Sequence, residues 1–153
     1  MDLDAGEQDD GFALRAATWD DFAFALRLYL DTMEPLLSAL GAWDEAHYCD
    51  RLKGSYTPES SRIIARGGQD IGWIQVLERP QELNLAQFHI LDGHRGTGIG
   101  TRLMEQLLER AALENKAVSL SSPRNNPVIN FYKRLGFQVH KDDGCDIIDL
   151  LWK

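Results

Sequence analysis

Apolar residues follow two different spacings along this chain, and the change of spacing separates helices from strands. From Phe22 to Leu40 they recur every three or four positions, as on one face of a helix. Thr18 followed by Asp21 is typical of the cap at a helix start, and Gly41 is a typical stop. Pro35 lies within this stretch and is expected to kink or split the helix, because it cannot donate a backbone hydrogen bond.

The same two spacings predict the remaining elements. In chain order they are a strand from Phe12 to Ala16, a helix from Trp43 to Leu52, a hairpin of strands from Arg62 to Ala65 and from Ile71 to Leu77, a strand from Leu83 to Leu91, a helix from Gly98 to Asn115, a strand from Ala117 to Leu120, a helix from Val128 to Leu135, and strands from Phe137 to Val139 and from Asp146 to Trp152. Strands come first and then alternate with helices, which predicts an α/β fold whose sheet has mixed direction.

Length and composition indicate one globular domain. The chain has 153 residues, of which 44% are hydrophobic and 26% are charged, and these values are ordinary for a compact protein. Five acids and no base stand among residues 1–10, so much of the net charge of −8 lies there. Such a run is typical of a solvated, mobile tail. We therefore expect an acidic tail at residues 1–10 and a single domain at residues 11–153.

Charge, hydropathy and cysteine usage argue against several functional classes. The body of the chain is mildly acidic, which disfavours nucleic-acid binding and weakly favours a cationic substrate. No apolar run approaches the roughly 20 residues of a membrane span, and the acidic start does not resemble a secretory signal. Cys49 and Cys145 are far apart, and the histidines show no ligand spacing. We expect a cytoplasmic protein with reduced thiols, no metal and no membrane or nucleic-acid partner.

A glycine-rich segment precedes the clearest helix, and it reads Arg95-Gly96-Thr97-Gly98-Ile99-Gly100-Thr101. Glycines let the backbone approach a ligand closely, and amides at a helix N-terminus suit a phosphate group. Arg95 adds a guanidinium that can pair with a phosphate oxygen. A Walker A loop would need a lysine directly after Gly100, and the dinucleotide fingerprint would need a wider glycine spacing. Neither of these phosphate motifs is present.

The spacing R-x-x-G-x-G, at Arg95, Gly98 and Gly100, resembles the coenzyme A loop of the GNAT superfamily of N-acetyltransferases. Alone, so short a pattern leaves open a glycine turn that merely begins a helix. A second segment resembles the other GNAT signature, with Asn125 at the family's Asn position and Tyr132 at its Tyr position, followed by the pair Gly136-Phe137. Two motifs in the right order make coincidence improbable. The resemblance is firm from Ile71 onward, whereas the first 60 residues match only in layout.

The resemblance implies a GNAT fold, in which a twisted mixed sheet has two central parallel strands that splay apart. Those strands are the ones predicted from Leu83 to Leu91 and from Ala117 to Leu120. Acetyl-CoA would lie in the splay, with its diphosphate on the glycine loop and its pantetheine along the first strand. A backbone amide at Ile90 or Leu91 would stabilise the oxyanion. The cofactor-binding residues implied in this way are Ile90, Leu91, Arg95, Gly96, Thr97, Gly98, Ile99, Gly100, Thr101, Asn125 and Tyr132.

The resemblance also implies that Tyr132 is the catalytic general acid that protonates the leaving thiolate. The general base is harder to assign. In several relatives it stands on the strand before the loop, where this chain has Asn84 and Ala86, and neither can serve. Glu82 lies on the same face by alternation, whereas His89 lies on the opposite face unless a bulge intervenes. A water chain or a base from the first half of the chain stays open; the candidates there are Glu34, Asp44 and Glu45.

The segment Trp43-Asp44-Glu45 bears on the acceptor. An aromatic ring beside two acids could stack on and neutralise an ammonium group, although a helix start would use the same residues. Trp43, Glu45 and Glu82 are therefore the candidate substrate residues. The interpretation favoured is an acetyl-CoA-dependent N-acetyltransferase acting on a primary amine of a small molecule. A non-catalytic acyl-CoA sensor of the same fold, a protein N-terminal or lysine acetyltransferase, and a homodimeric assembly stay open.

Overall fold

The structure is a computed structural model that describes residues 11–153. The predicted acidic tail, residues 1–10, lies outside the described residues. The four α-helices found there are α1 (Phe22–Ala39), α2 (Glu45–Ser55), α3 (Ile99–Leu113) and α4 (Val128–Arg134). The strands are β1 (Ala13–Ala16), β2 (Ser61–Arg66), β3 (Gln69–Glu78), β4 (Glu82–Ile90), β5 (Ala117–Pro123), β6 (Gln138–Lys141) and β7 (Ile147–Trp152). Each of these helices is too short or too polar to cross a lipid bilayer.

All seven strands join one sheet in the order β1-β2-β3-β4-β5-β7-β6. The β4–β5 pair is parallel, and every other neighbouring pair is antiparallel. A parallel pair needs a long crossover, and α3 supplies it between β4 and β5. The predicted α/β fold with a sheet of mixed direction is confirmed.

The first two helices differ from their predicted form in instructive ways. Helix α1 runs through Pro35 without the expected split. Pro35 is exposed, so water can satisfy the carbonyl group that its missing N–H leaves unpaired. Helix α2 begins at Glu45 rather than Trp43, because the Asp44 side chain caps it by accepting a hydrogen bond from the His47 amide at 3.1 Å.

The sheet separates two hydrophobic clusters. On one face, α3 and α4 pack against the strands through Leu103, Leu107 and Ile129. On the other face, α1 and α2 bury Tyr29 and Leu52 against β2 and β3. Because successive residues of a strand point to opposite faces, β2 and β3 contribute to both clusters, whereas β4 and β5 contribute buried residues to the first cluster. A gap between two central strands therefore connects the two faces of the molecule.

Such a gap opens between β4 and β5. The two strands pair only from Glu82 opposite Ala117 to Asn84 opposite Ser119. Beyond that point β4 continues along β3 and β5 continues along β7, but not along each other. The β3–β4 register also shifts at this point, which leaves Ala86 as an extra residue in β4. The splay of the central parallel strands is thus present, and it begins directly after Asn84.

Candidate active site

A cleft of about 630 Å³ occupies the splay between β4 and β5. It is lined from both faces of the sheet, and the two linings differ in kind. One lining, called here the loop side, consists of Arg95, Gly96, Thr97, Ile99 and Gly100, with Tyr132 from α4. The other, called here the tyrosine side, consists of Tyr29, Thr32 and Met33 from α1 with Tyr48 and Arg51 from α2.

The loop side is shaped by backbone conformation. Gly96 has a φ of +73° and Gly98, which begins α3, has a φ of +88°. A Cβ built on either glycine would meet no atom within 4 Å, so the space over the loop is open to a ligand. The first backbone hydrogen bond of α3 runs from the Arg102 amide to the Gly98 carbonyl. The amides that come before Arg102 in the helix therefore have no carbonyl of a preceding turn as partner. Open space over unpaired backbone amides, in a loop whose glycines have positive φ, fits a diphosphate.

Arg95 fastens this loop to the end of β4. Its Nε donates to the Ile90 carbonyl at 2.8 Å, and its Nη1 pairs with the Asp92 carboxylate at 2.6 Å. These two contacts use Nε and Nη1 and leave the Nη2 group available as a donor. Two members of the predicted loop set, Gly98 and Thr101, stay outside the lining of the cleft.

The end of β4 presents one amide to the cleft. The Leu91 amide donates to the Ile71 carbonyl at 2.8 Å, so it is not free, and Leu91 does not line this cleft. Amides alternate along a strand, so the Ile90 amide points the other way, toward the side where the pairing with β5 has ended. Of the two expected oxyanion donors, the Leu91 amide is already bonded to β3, and the Ile90 amide stays a prediction.

Tyr132 reaches the cleft from α4. Its ring is only 5% exposed and packs edge-on against Phe131 and Phe137. Its hydroxyl group makes no hydrogen bond with any of residues 11–153, although the residue lines the cleft. Burial raises the pKa of the Tyr132 phenol above its ordinary value. The phenol therefore stays protonated and can donate its proton into the cleft.

The predicted Asn125 and its neighbour Asn126 have different positions. Asn125 is exposed, and its Nδ2 donates to the Leu36 carbonyl at 3.0 Å, which ties the start of α4 to α1. Asn126 lines the cleft, and its Oδ1 accepts from the Val128 amide at 3.0 Å. The structure thus places Asn126, which the sequence analysis passed over, at the cleft and Asn125 beside it. A polar residue two positions before a helix was the available signal.

The predicted acidic substrate residues lie elsewhere. Glu82 stands at the paired end of β4 and contacts Arg79 at 3.4 Å, while Glu45 is exposed in the first turn of α2. Trp43 stacks on Tyr48 with ring centroids 5.3 Å apart, so it packs against a residue of the tyrosine side without lining the cleft itself. No Asp or Glu of residues 11–153 lines the cleft. The base candidates Glu34, Asp44 and Glu45 are therefore outside it, and the same residues contain no cluster that could hold a metal ion.

His89 does line the cleft, because the extra residue Ala86 changes the alternation of β4. The register shift is the bulge that His89 needed, and it puts His89 on the same face of β4 as Asn84. Its ring stacks on Trp73 at 5.7 Å, and its Nε2 lies 2.7 Å from the Gln87 Oε1. Burial, helped by the charge of Arg95, lowers the pKa of His89 to about 4. His89 is therefore neutral near pH 7 and forms a fixed part of the wall.

The residues of the tyrosine side were missed from sequence. Tyr29 falls in the apolar stripe of α1 and reads as a core residue, although one edge of it faces the cleft. Tyr48 and Arg51 are three residues apart on α2, and this spacing alone places them on one face of a helix. Which face meets the cleft depends on how α2 packs, so no local pattern could identify the pair.

Comparison with known proteins agrees with this architecture. A family model described as an acetyltransferase (GNAT) domain matches residues 58–139. An L-2,4-diaminobutyric acid acetyltransferase from Vibrio parahaemolyticus is 30% identical over 83 residues, which are 52% of this chain and 46% of that protein. This chain thus matches about half the length of that curated relative.

Solved structures share the fold at lower identity. The PaiA N-acetyltransferase from Thermoplasma acidophilum, solved in complex with coenzyme A, aligns with a TM-score of 0.70 at 16% identity, covering 93% of this chain and 98% of that one. Ard1 from Thermoplasma volcanium aligns with a TM-score of 0.63 at 21% identity, covering 92% and 96%. The matched domain spans more than half of the sequence and includes both motifs, so this chain belongs to the GNAT acetyltransferase family.

Proposed function

We propose that this protein is an acetyl-CoA-dependent N-acetyltransferase that moves an acetyl group to a primary amine of a small molecule by direct attack on the thioester. The observation that carries the proposal is the splay between β4 and β5. It is open to both faces of the sheet and is lined on one side by the glycine loop, the Ile90 amide and Tyr132. When bound, acetyl-CoA supplies an activated acetyl thioester.

The loop side would hold the coenzyme mainly through backbone groups. Amides around Gly96, Gly98 and the start of α3 point at one region, and the helix dipole adds to their attraction for a diphosphate. Along the open edge of β4, the backbone groups of Phe88 face the side without a partner strand, whereas the Ile90 carbonyl already accepts from Arg95. The Phe88 groups can pair with the amides of the pantetheine arm as an added strand would.

Two groups of this chain would act on the reacting atoms. The Ile90 amide can donate to the oxyanion that forms when the amine attacks the carbonyl carbon. Tyr132 can give its proton to the sulfur as the carbon–sulfur bond breaks. Because burial raises the pKa of Tyr132, the phenol holds its proton until negative charge develops on the sulfur.

No carboxylate among the described residues is placed to deprotonate the acceptor. His89 has a pKa lowered to about 4 and already contacts Gln87, so it is a weak base. The acceptor amine would therefore enter in its neutral form. After it attacks the thioester carbonyl, its positively charged nitrogen would lose one proton to water. We expect the rate to rise with pH until the amine of the acceptor itself is fully deprotonated.

A small acceptor is supported by two observations. The relative from Vibrio parahaemolyticus is named for L-2,4-diaminobutyric acid, a small diamino acid. The whole cleft has a volume of about 630 Å³ and must also admit part of the coenzyme, so less than that volume is left for the acceptor beside α1 and α2.

A thiol-release assay with acetyl-CoA and a panel of small amines, amino acids and peptides tests the proposal. We expect release of coenzyme A with one or more small amines and none with peptides. Coenzyme A binding measured by calorimetry serves as the control for an intact loop side. Tight coenzyme binding with no thiol release across the panel would favour an acyl-CoA-binding module, and activity on peptides alone would favour a protein acetyltransferase.

A further inference from the structure

The tyrosine side of the cleft has an unusual balance of charge for an enzyme acting on amines. Its one fully charged side chain is Arg51, and no Asp or Glu of residues 11–153 lines any part of the cleft. A polyamine or an aminoglycoside has several ammonium groups, and each one needs an acid or a carbonyl to replace its water. A cationic acceptor, weakly favoured by the net charge, would therefore meet a like charge at this site.

Arg51 is not engaged elsewhere in the described part of the chain. Its guanidinium forms no ion pair or hydrogen bond with any of residues 11–153, and it is exposed at the mouth of the cleft. Arg95, the other arginine of the lining, is held by Asp92 and the Ile90 carbonyl at the loop side. The two arginines thus divide the cleft, and only the one on the tyrosine side has all of its donors available.

Two phenol groups lie beside Arg51 and are similarly available. Tyr29 from α1 and Tyr48 from α2 both line the cleft, and neither hydroxyl group is hydrogen-bonded to residues 11–153. The charge of Arg51 acts on the pKa of Tyr29 against the effect of burial, as expected for neighbouring groups. The ring of Tyr48 is fixed between Trp43, stacked at 5.3 Å, and the edge of His47 at 4.9 Å. Three residues with available donors, from two helices, therefore line the same side of the cleft.

We propose that the acceptor of this enzyme carries a carboxylate beside its amine, and that Arg51 binds this carboxylate together with the hydroxyl groups of Tyr29 and Tyr48. The inference rests on the proposed function, since it names the class of acceptor for the same cleft. A carboxylate offers only acceptor atoms, and the planar guanidinium can bind both of its oxygens at once. The acceptor class is an amino acid or another small zwitterion, with its amine directed into the splay.

Matched pairs of acceptors test the proposal. Glycine, β-alanine, γ-aminobutyric acid, L-ornithine and L-lysine are each compared with their own carboxamide in the thiol-release assay. The members of a pair differ in one charge and in the basicity of the amine, so the ratio of their kcat/KM values, each divided by the fraction of neutral amine at the assay pH, reports recognition of the carboxylate. We expect a preference of about 10- to 100-fold for the acid in the pairs that react, as for a charge-assisted pair at a partly exposed site. The preference should lie in KM and should weaken as salt is added.

Variants on α2 assign the preference to a residue. Arg51→Gln should remove it and leave the KM for acetyl-CoA unchanged, and Arg51→Lys should retain part of it. Lys53→Gln removes a positive charge from the same helix outside the cleft, so it should keep the full preference. If the carboxamides react as well as the acids, or if Arg51→Gln keeps the preference, the proposal is wrong while N-acetyl transfer stands.

Binding without turnover separates this proposal from the proposed function. Calorimetry on the enzyme saturated with coenzyme A measures the affinity for each acid and each carboxamide directly. Binding of the acids that depends on Arg51, with no thiol release from any of them, would support carboxylate recognition and contradict acetyl transfer. If none of the acids binds to the parent protein, the proposed carboxylate site is overturned.

Discussion

The loop side and the tyrosine side of the cleft are built from different kinds of donor. On the loop side, positive φ at Gly96 and Gly98 and the N-terminus of α3 present backbone amides. On the tyrosine side, the donors are side chains brought together by the packing of α1 on α2. Backbone donors need a particular local sequence, whereas side-chain donors need only a helix face and a tertiary contact. The proposed coenzyme end of the cleft is therefore marked in the sequence, and the proposed acceptor end is not.

The difference between the two sides predicts separable effects on mutation. A change on the loop side should alter coenzyme binding or the chemical step and leave acceptor choice unchanged. A change at Arg51 should alter acceptor choice alone. Variants that affect both sides together would show that the cleft works as one unit.

The largest effect is expected from Tyr132→Phe. The substitution removes a hydroxyl group that has no hydrogen-bond partner in residues 11–153, so the fold should be unaffected. If the phenol protonates the leaving sulfur, kcat should fall by about 100-fold or more. Steady-state thiol release measures kcat, and calorimetry should show coenzyme A affinity within about threefold of the parent. Equal turnover in the two proteins would remove Tyr132 from the mechanism.

A second prediction concerns His89, which stands where the two sides meet. Its pKa is lowered by burial from 6.5 to about 4, so the unfolded chain binds a proton between these values more readily than the folded one. Folding stability should therefore be fully present above about pH 6.5 and be lost as the pH falls, with about 2 kcal/mol lost through this group by pH 5.

Urea unfolding of the parent and of His89→Gln at pH 7.5 and pH 5.0 measures this contribution. The parent should lose about 2 kcal/mol more than the variant on acidification. The exposed His140 provides a control, since His140→Gln should follow the parent profile. Identical pH profiles for the parent and His89→Gln would contradict the assigned environment of the ring.

The smallest predicted effect is that of Gly98→Ala on coenzyme binding. At a φ of +88° an L-residue is strained by roughly 1–2 kcal/mol, which would weaken coenzyme A binding by about 5- to 30-fold if the loop relaxes. Gly93→Ala is the matched control, because Gly93 lacks a positive φ and its Cβ would also meet no atom within 4 Å. The acid-to-carboxamide preference should be the same in both variants. A changed preference in Gly98→Ala would mean that the two sides are coupled.

Local pattern was enough for most of the architecture. The apolar spacing predicted the four α-helices and seven strands of residues 11–153 to within a few positions, because each amphipathic element must bury one face. The split considered at Pro35 is absent, since α1 continues through this exposed position. The extra residue at Ala86 was beyond the apolar spacing, because nothing in the sequence of β4 marks where the β3–β4 register shifts.

By itself, the sequence determined the family and the loop side. Arg95, the glycines and Tyr132 stand at fixed spacings, since backbone amides at a helix start and a residue on the following helix are positioned by nearby chain. Tertiary packing places the amide of Ile90 rather than Leu91 at the splay, leaves the acidic candidates outside it, and puts Tyr29, Tyr48 and Arg51 on one side of the cleft. Those three residues come from two helices, and their positions relative to one another depend on how α1 packs on α2, which no local spacing records.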